Sequence, residues 1–511
     1  MSKKTLIKAI VVLLTLTMVA AVFAGCNTDK NTDGNESNSG DVVDTNDTSS
    51  NTTEEDTARY DSNGYLMDDL PDDLWYDGAD VTILGWSDTA CTEFDVTEIS
   101  KDAISNSVYK RDQAIQTKLG IKMKYTLTAG GAKSLTNFKT AVSNAYYGST
   151  PYDIIASYTR STAICATDGM LYDLSSLPSD SYLNLNKPWW NDSVIEKTTT
   201  STGKFYFVTG DASTSLAQMI YCVYFNADEV DRMRETSPYE LVESNEWTLD
   251  TMMTMTKNYY VDLDESKSVS IKDKIGVVGY YYDWPALLHG CGVGFVTKNG
   301  LGEFILDPNI KTGRGLDVMN DLLTWTTTEK SLCRGRDAEG NTMSNFAAGN
   351  SMFIITHSGA AITDLNDVQF EYGCVPCPKY DEDQETYYSA VRQPVTFFGI
   401  MTNVKSDRVE MITAVLEAWG SEGYRTTTPV IFEKAMKDAS ATSAFMSDML
   451  QLIRDTAWFD CGRIYAQEML YICDKPGDYL AAGTSWDNYV GGEIEDVEEQ
   501  GLTTLNIMLN D

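Results

Sequence analysis

The chain runs to 511 residues, of which 42% are apolar and 11% aromatic, the composition of a folded globular protein. Its formal net charge of −36 at pH 7 makes nucleic acid and other anionic polymers poor partners. The ten cysteines lack the regular spacing of a small disulfide-stapled domain, and a chain of this length has core enough to do without one.

The first element is a leader. Lys3, Lys4 and Lys8 precede an apolar run that begins at Ala9 and ends in Phe23-Ala24-Gly25-Cys26. A basic start, a short apolar stretch and small residues at a cut site are the marks of a secretory signal, expected here over residues 1–25. The run is shorter than the roughly 20 residues that span a bilayer. Its end resembles a bacterial lipobox, with Phe23 where Leu is usual. That resemblance implies cleavage before Cys26 and diacylation of its thiol, and two chains anchor stably where one does not. An ordinary signal peptide with a chance cysteine is the alternative.

Residues 26–59 form the next segment. From Asn27 to Arg59 there is no aromatic residue, and the stretch is built mainly from Asn, Thr, Ser, Asp, Glu and Gly. Such a stretch cannot bury enough surface to order itself and is expected to be a disordered tether. The remainder of the chain is too long for one core and is expected to divide in two.

Val81-Thr-Ile-Leu84 is a short apolar run closed by Gly85, a strand signal. Ile104, Val108, Ile115 and Leu119 share one helical face, with Gly120 at the capping place. Ile121–Leu127 alternates as a strand. Leu135, Phe138, Val142 and Tyr146 mark a second helix, and Asp153-Ile-Ile-Ala156 a buried strand. The order β-α-β-α-β predicts α/β architecture with a parallel sheet. Ligands of such sheets bind beyond the carboxyl ends of the strands. Trp86 and Asp88 come after the first strand, and Arg160 after the third. An aromatic face beside a forked charged group suits a polyhydroxylated ring, so these three are candidate ligand contacts.

Further blocks carry a family likeness. They are Lys187-Pro-Trp-Trp190, Gly203-Lys-Phe-Tyr206, Gly210-Asp211, Tyr224-Phe-Asn226, Trp247-Thr-Leu-Asp250, Gly279-Tyr-Tyr-Tyr-Asp-Trp-Pro285, Phe346-Ala-Ala-Gly349 and Tyr372-Gly373. In this order the chain resembles the family 1 extracellular solute-binding proteins, the maltose-binding-protein-like lipoprotein receptors of bacterial carbohydrate ABC importers. The resemblance implies a two-lobed periplasmic-binding-protein-like fold with a hinge, each lobe a mostly parallel sheet flanked by helices. The N-terminal lobe would be 60–188 plus 390–442, and the C-terminal lobe 189–389 plus 443–511. It also implies a sugar or oligosaccharide ligand in the cleft, and ABC permease transmembrane subunits as partners. The expected state is a monomer, held by Cys26 on the outer face of the cytoplasmic membrane, in a Gram-positive bacterium. Carried over by position, Tyr281, Trp284, His357, Asp211 and Trp458 join the candidate ligand contacts.

Other chemistry finds little support. Only two histidines exist, and no His-Glu-x-x-His, P-loop or Gly-x-Ser-x-Gly motif is present. Cys374 and Cys377 have redox spacing without its context, and a zinc site would need two more ligands. Asp262, Asp264, Ser266 and Asp273 have the spacing of a degenerate calcium loop, but Lys267 stands where the sharp turn needs Gly. No cofactor is expected, and no enzymatic activity. With 75 acidic residues, a surface glycoside hydrolase remains an alternative, as does a glycan-binding adhesin.

Overall fold

Alternating and helical apolar patterns between residues 79 and 158 close into the first sheet of a computed structural model. The structure describes residues 59–148, 151–328, 330, 332–334, 342–437, 443–486 and 493–510, with backbone alone at 332–334, 436–437, 443–444 and 493. The leader, Cys26 and the tether as far as residue 58 lie outside the described residues.

Strand β1 (Ala79–Trp86) runs parallel to β2 (Ile121–Thr128) and to β3 (Ile154–Tyr158), with Val81 opposite Met123 and Ile83 opposite Ile154. The intervening helix Ala103–Leu119 starts where the Asp102 side chain accepts the Ser105 amide, and it buries Ile104, Val108, Ile115 and Leu119. It stops at Gly120, whose φ of 62° is left-handed and whose amide returns to the Gln116 carbonyl. A side chain there would also meet the Trp75 ring at 2.4 Å. Glycine therefore satisfies backbone and packing together.

The second sheet collects β4 (Tyr221–Asn226) and β5 (Ile275–Tyr280). A separate hairpin, β6 (Val296–Lys298) and β7 (Phe304–Leu306), is next in the chain. Then come β8 (Leu332–Arg334), β9 (Ser351–His357) and β10 (Tyr372–Pro376). The order across this sheet is β10-β4-β9-β5-β8. Only β4 runs against its neighbours. Its antiparallel setting brings Tyr221, its first residue, opposite His357, the last residue of β9.

The chain then returns. A short β11 (Ser389–Ala390) leads into β12 (Thr396–Ile400), which pairs antiparallel with β3 and completes the first sheet in the order β12-β3-β1-β2. Thr396 lies opposite Tyr158. Beyond residue 443 the helix Ser443–Asp455 packs on β10, with the Phe445 ring stacked on Tyr239 at 5.5 Å. The strand β13 (Ala457–Trp458) then pairs with β11. The last helix, Thr503–Asn510, reaches the segment between the sheets, where the Tyr206 hydroxyl donates to the Leu509 carbonyl at 2.8 Å. Among the described residues no helix is long and apolar enough to cross a membrane.

Two mixed α/β layers result, each with helices over a mostly parallel sheet. Large rings fill both interiors. Trp419 packs on Phe398 of β12 at 5.2 Å, and the Trp247 indole donates to the Pro376 carbonyl at 2.8 Å. Eight cysteines have described side chains, all of them buried thiols without a disulfide. Burial pushes Cys374 and Cys377 up to about 12, so they behave as small apolar side chains.

Candidate functional site

The carboxyl ends of β1, β3, β5 and β9, and the amino ends of β4 and β12, converge on one cavity of about 700 Å³. This volume falls within the usual range for small-molecule sites. Five of the eight candidate contacts line it: Trp86, Asp88, Arg160, Tyr281 and His357.

Trp86 ends β1. Its indole donates to Thr396 Oγ1 at 2.8 Å, and its ring tilts against Tyr158 with centroids 5.7 Å apart. At 2% exposure it offers the cavity an edge and spends most of its area in the core. Two residues on, Asp88 Oδ1 accepts the amides of Gly130 and Gly131 at 2.7 and 2.8 Å. Burial pushes the Asp88 carboxyl up, but these amides outweigh it and hold the group below its ordinary range. Arg160, in the first turn after β3, reaches Asp474 at 3.2 Å and lies over the Tyr471 ring at 5.1 Å.

The second sheet supplies phenols. Tyr281 and Tyr282 come directly after β5, their rings 4.8 Å apart and nearly perpendicular. The Tyr221 hydroxyl donates to the Tyr282 carbonyl at 3.0 Å. Gly477 presses on the same segment. Its missing side chain would fall 1.5 Å from the Tyr281 carbonyl, so any larger residue displaces the Tyr281 backbone. His357 Nδ1 lies 3.1 Å from the Gln218 carbonyl. A carbonyl only accepts, so Nδ1 carries the hydrogen and Nε2 is the acceptor. Burial, then the Arg392 charge, lower its pKa to about 4, which keeps the ring neutral at pH 7.

The third wall comes from the return segment and the C-terminal region. Arg392 donates to the Tyr282 hydroxyl at 3.3 Å, and its Nε stands 4.0 Å from Asp283. Burial raises the Asp283 carboxyl despite the Arg392 charge. Arg463 lies over the Tyr221 ring at 5.6 Å, and its Nε and Nη2 are buried without an acceptor. Burial opposes its charge, while Tyr221 and Asp474 sustain it.

Three candidates lie elsewhere. Trp284 is fully buried, its indole donating to the Gly279 carbonyl at 3.2 Å and its ring set edge-on to Trp325 at 5.8 Å. It is a core residue of the second layer. Asp211 accepts from Thr428 Oγ1 at 2.8 Å and from Arg454 Nε at 3.2 Å, and also pairs with Arg454 Nη2. Its oxygens are taken up by structure. Trp458 packs on His289 at 5.0 Å and on Tyr388 at 6.1 Å, under the Lys197 ammonium. Sequence reading missed Tyr158, Tyr221, Tyr282, Arg392, Arg463 and Asp474. Tyr282 lies inside the block Gly279–Pro285, and Tyr158 between the expected strand Asp153–Ala156 and Arg160, whereas Arg463 and Asp474 carry no local signal.

The acidic loop brings the carboxylates of Asp262, Asp264 and Asp273 within 4.8 Å of one another. Backbone amides already occupy several of these oxygens: Lys267 on Asp262 at 2.9 Å, Ser266 on Asp264 at 3.0 Å, and Ser270 on Asp273 at 2.7 Å. Ser266 Oγ turns to the Ser268 carbonyl at 2.9 Å. Lys267 adopts the left-handed φ of 62° that glycine would take more easily.

No protein-family model matches the chain, and no curated protein sequence matches it. Solved structures do. A cyclic α-maltosyl-1,6-maltose binding protein from Arthrobacter globiformis superposes with a TM-score of 0.54, covering 84% of this chain and 99% of that one at 14% identity. A cyclo/maltodextrin-binding protein solved with maltotetraose gives 0.53, with 82% and 96% covered at 16% identity. The ABC substrate-binding protein Lmo0181 from Listeria monocytogenes, solved with cycloalternan, gives 0.52, with 82% and 98% covered at 12% identity. The likeness establishes the fold, the two-lobed α/β fold of maltose-binding-protein-like solute receptors.

Proposed function

We propose that the protein is the substrate-binding lipoprotein of an ABC importer, which captures a sugar or oligosaccharide between its lobes and delivers it to membrane permease subunits. One observation carries this reading. The cavity joins the edges of both sheets, with phenols on one wall and an indole edge, a phenol and forked charged groups on the other. Sugar rings present an apolar face to aromatics and hydroxyls to charged groups. The solved proteins of this fold that were crystallised with maltotetraose or cycloalternan support a saccharide ligand. Within this reading the lobes are 60–188 plus 390–442 and 189–389 plus 443–511. Their closure is driven only by the ligand's stronger interaction with the closed form.

Binding without turnover is the second part of the reading. A glycosidase needs one carboxyl that holds a proton and a second carboxylate across the scissile bond. Asp88 is held ionised by the Gly130 and Gly131 amides, and Asp474 is paired with Arg160. Both carboxylates lining the cavity are thus engaged by the protein's own groups.

The anchor completes the proposal. Cleavage before Cys26 and diacylation of its thiol would hold a monomer on the outer face of a Gram-positive cytoplasmic membrane. The mass of the mature N-terminal peptide tests this, as does release of a Cys26→Ala variant into the medium. A thermal-shift screen against oligosaccharides, with product analysis of the same samples, tests the function. A ligand at a hundredfold excess over its Kd should add about 2.7 kcal/mol. Hydrolysis products would overturn the receptor reading in favour of a glycosidase.

A further inference from the structure

The cavity carries a charge pattern opposite to that of the molecule. The chain as a whole has a net charge of −36, yet Lys133, Arg160, Arg392 and Arg463 line the cavity against only Asp88 and Asp474. Both carboxylates are already engaged, Asp88 by two backbone amides and Asp474 by Arg160. The guanidinium of Arg463 forms no ion pair among the described residues, although Tyr221 and Asp474 sustain its charge from nearby. It belongs to a residue only 5% exposed, it lines the cavity, and its Nε and Nη2 meet no acceptor. Arg160 Nε is a second buried donor without a partner.

A guanidinium cannot shed its charge at any ordinary pH. Buried donors left unmade are costly, and a buried charge without a counter-ion more so. Sugar hydroxyls could accept these hydrogen bonds but would add no negative charge at the guanidinium itself, where Asp474, Asp460 and Asp283 act only from nearby. A planar or tetrahedral oxyanion answers both needs, because it fits the guanidinium fork in bidentate fashion. The backbone around Arg463 is itself fixed. Asp460 accepts the Gly462 amide at 2.7 Å, and Gln393 donates to the Arg463 carbonyl. The donor is therefore held in place before any ligand arrives.

We infer that the saccharide taken by this cavity is acidic, its carboxylate, phosphate or sulfate group received by Arg463 with Arg160 and Arg392 close by. This rests on the sugar-binding reading above and narrows it. The phenols of Tyr281 and Tyr282 would hold the ring while the guanidiniums read the anion.

The test is calorimetric titration of the purified protein with oligosaccharides of equal length that differ only at C6. The forms are hydroxymethyl, carboxylate, phosphate ester and sulfate ester. The expected result is that at least one acidic form binds about tenfold or more tightly than its neutral counterpart, with the preferred form naming the anion. Added salt should narrow the gap. Arg463→Gln should remove most of the preference, and Arg160→Gln, at a more exposed position, should reduce it where the first variant does not fold. Neutral forms binding as tightly as acidic ones would overturn the inference and leave the sugar-binding reading intact. Absence of binding to every form would bring down that reading and the inference with it. An acidic preference unchanged in both variants would also overturn the assignment.

Discussion

Asp211 and Arg463 are both buried charged residues, and they differ in one respect. Every oxygen of Asp211 has a donor, from Thr428 and Arg454. Arg463 keeps two buried nitrogens with no acceptor. A buried charge whose partners are complete belongs to the scaffold. One with donors to spare at a cavity wall can take a ligand. Three of the eight candidate residues sort in the same way, with Trp284 and Asp211 fully engaged inside the fold and Arg160 still holding a spare donor at the cavity wall.

The sharpest way to break this comparison is at the tightest contact. Gly477→Ala would drive a methyl into the Tyr281 carbonyl. It should cost about 3 kcal/mol or more of stability in denaturant titration and also weaken ligand binding. Trp86→Ala comes next. Because the ring is mostly core, it should lose about 3 kcal/mol of unliganded stability, so any lost ligand response would not by itself mark Trp86 as a contact. Asp211→Ala leaves Arg454 with only the more exposed Asp455 as a carboxylate partner and should cost about 2 to 3 kcal/mol. Its affinity for ligand should be unchanged by calorimetry, and a large loss of affinity would move Asp211 back into the site.

Glu417 sharpens the comparison from a third side. Burial lifts its carboxyl to about 7, against the pull of the Trp190 indole and the Asn184 amide. The folded state then binds the proton more tightly than the unfolded state does. Stability attributable to this group should be greatest at low pH and fall as pH rises from about 4.5 towards 7, levelling off above that. Glu417→Gln should abolish that slope and gain about 2 kcal/mol at pH 8. An unaltered slope in the variant would show that Glu417 does not carry it. The smallest effect belongs to Arg160→Gln. Its pair with Asp474 is partly exposed and should contribute under about 1 kcal/mol to unliganded stability.

Much of the first layer was legible in the sequence because its signals are local and periodic. The face Ile104–Val108–Ile115–Leu119, ended by Gly120, specifies a helix and its stop within 20 or so positions, about the reach of such patterns. The residues after β1 and β3 were found by the same logic, since strand order alone puts them at the ligand edge. The second layer was less open. An aromatic run such as Tyr280–Trp284 does not say which ring faces in. The structure turns Trp284 into the core and leaves Tyr281 and Tyr282 at the cavity. Arg463 and Asp474 could not be seen at all. They reach the site from the far end of the chain, through pairing of β11 with β13 and packing across the lobes, and no short-range pattern encodes that.

The central claim is that a saccharide lies against the phenols of the cavity between the lobes. Its most direct measurement is calorimetric affinity of the parent and of Tyr281→Ala for the same oligosaccharide. The account predicts a loss of about 2 kcal/mol, some thirtyfold in Kd, with the unliganded melting temperature nearly unchanged. Equal affinity in the two proteins would contradict it.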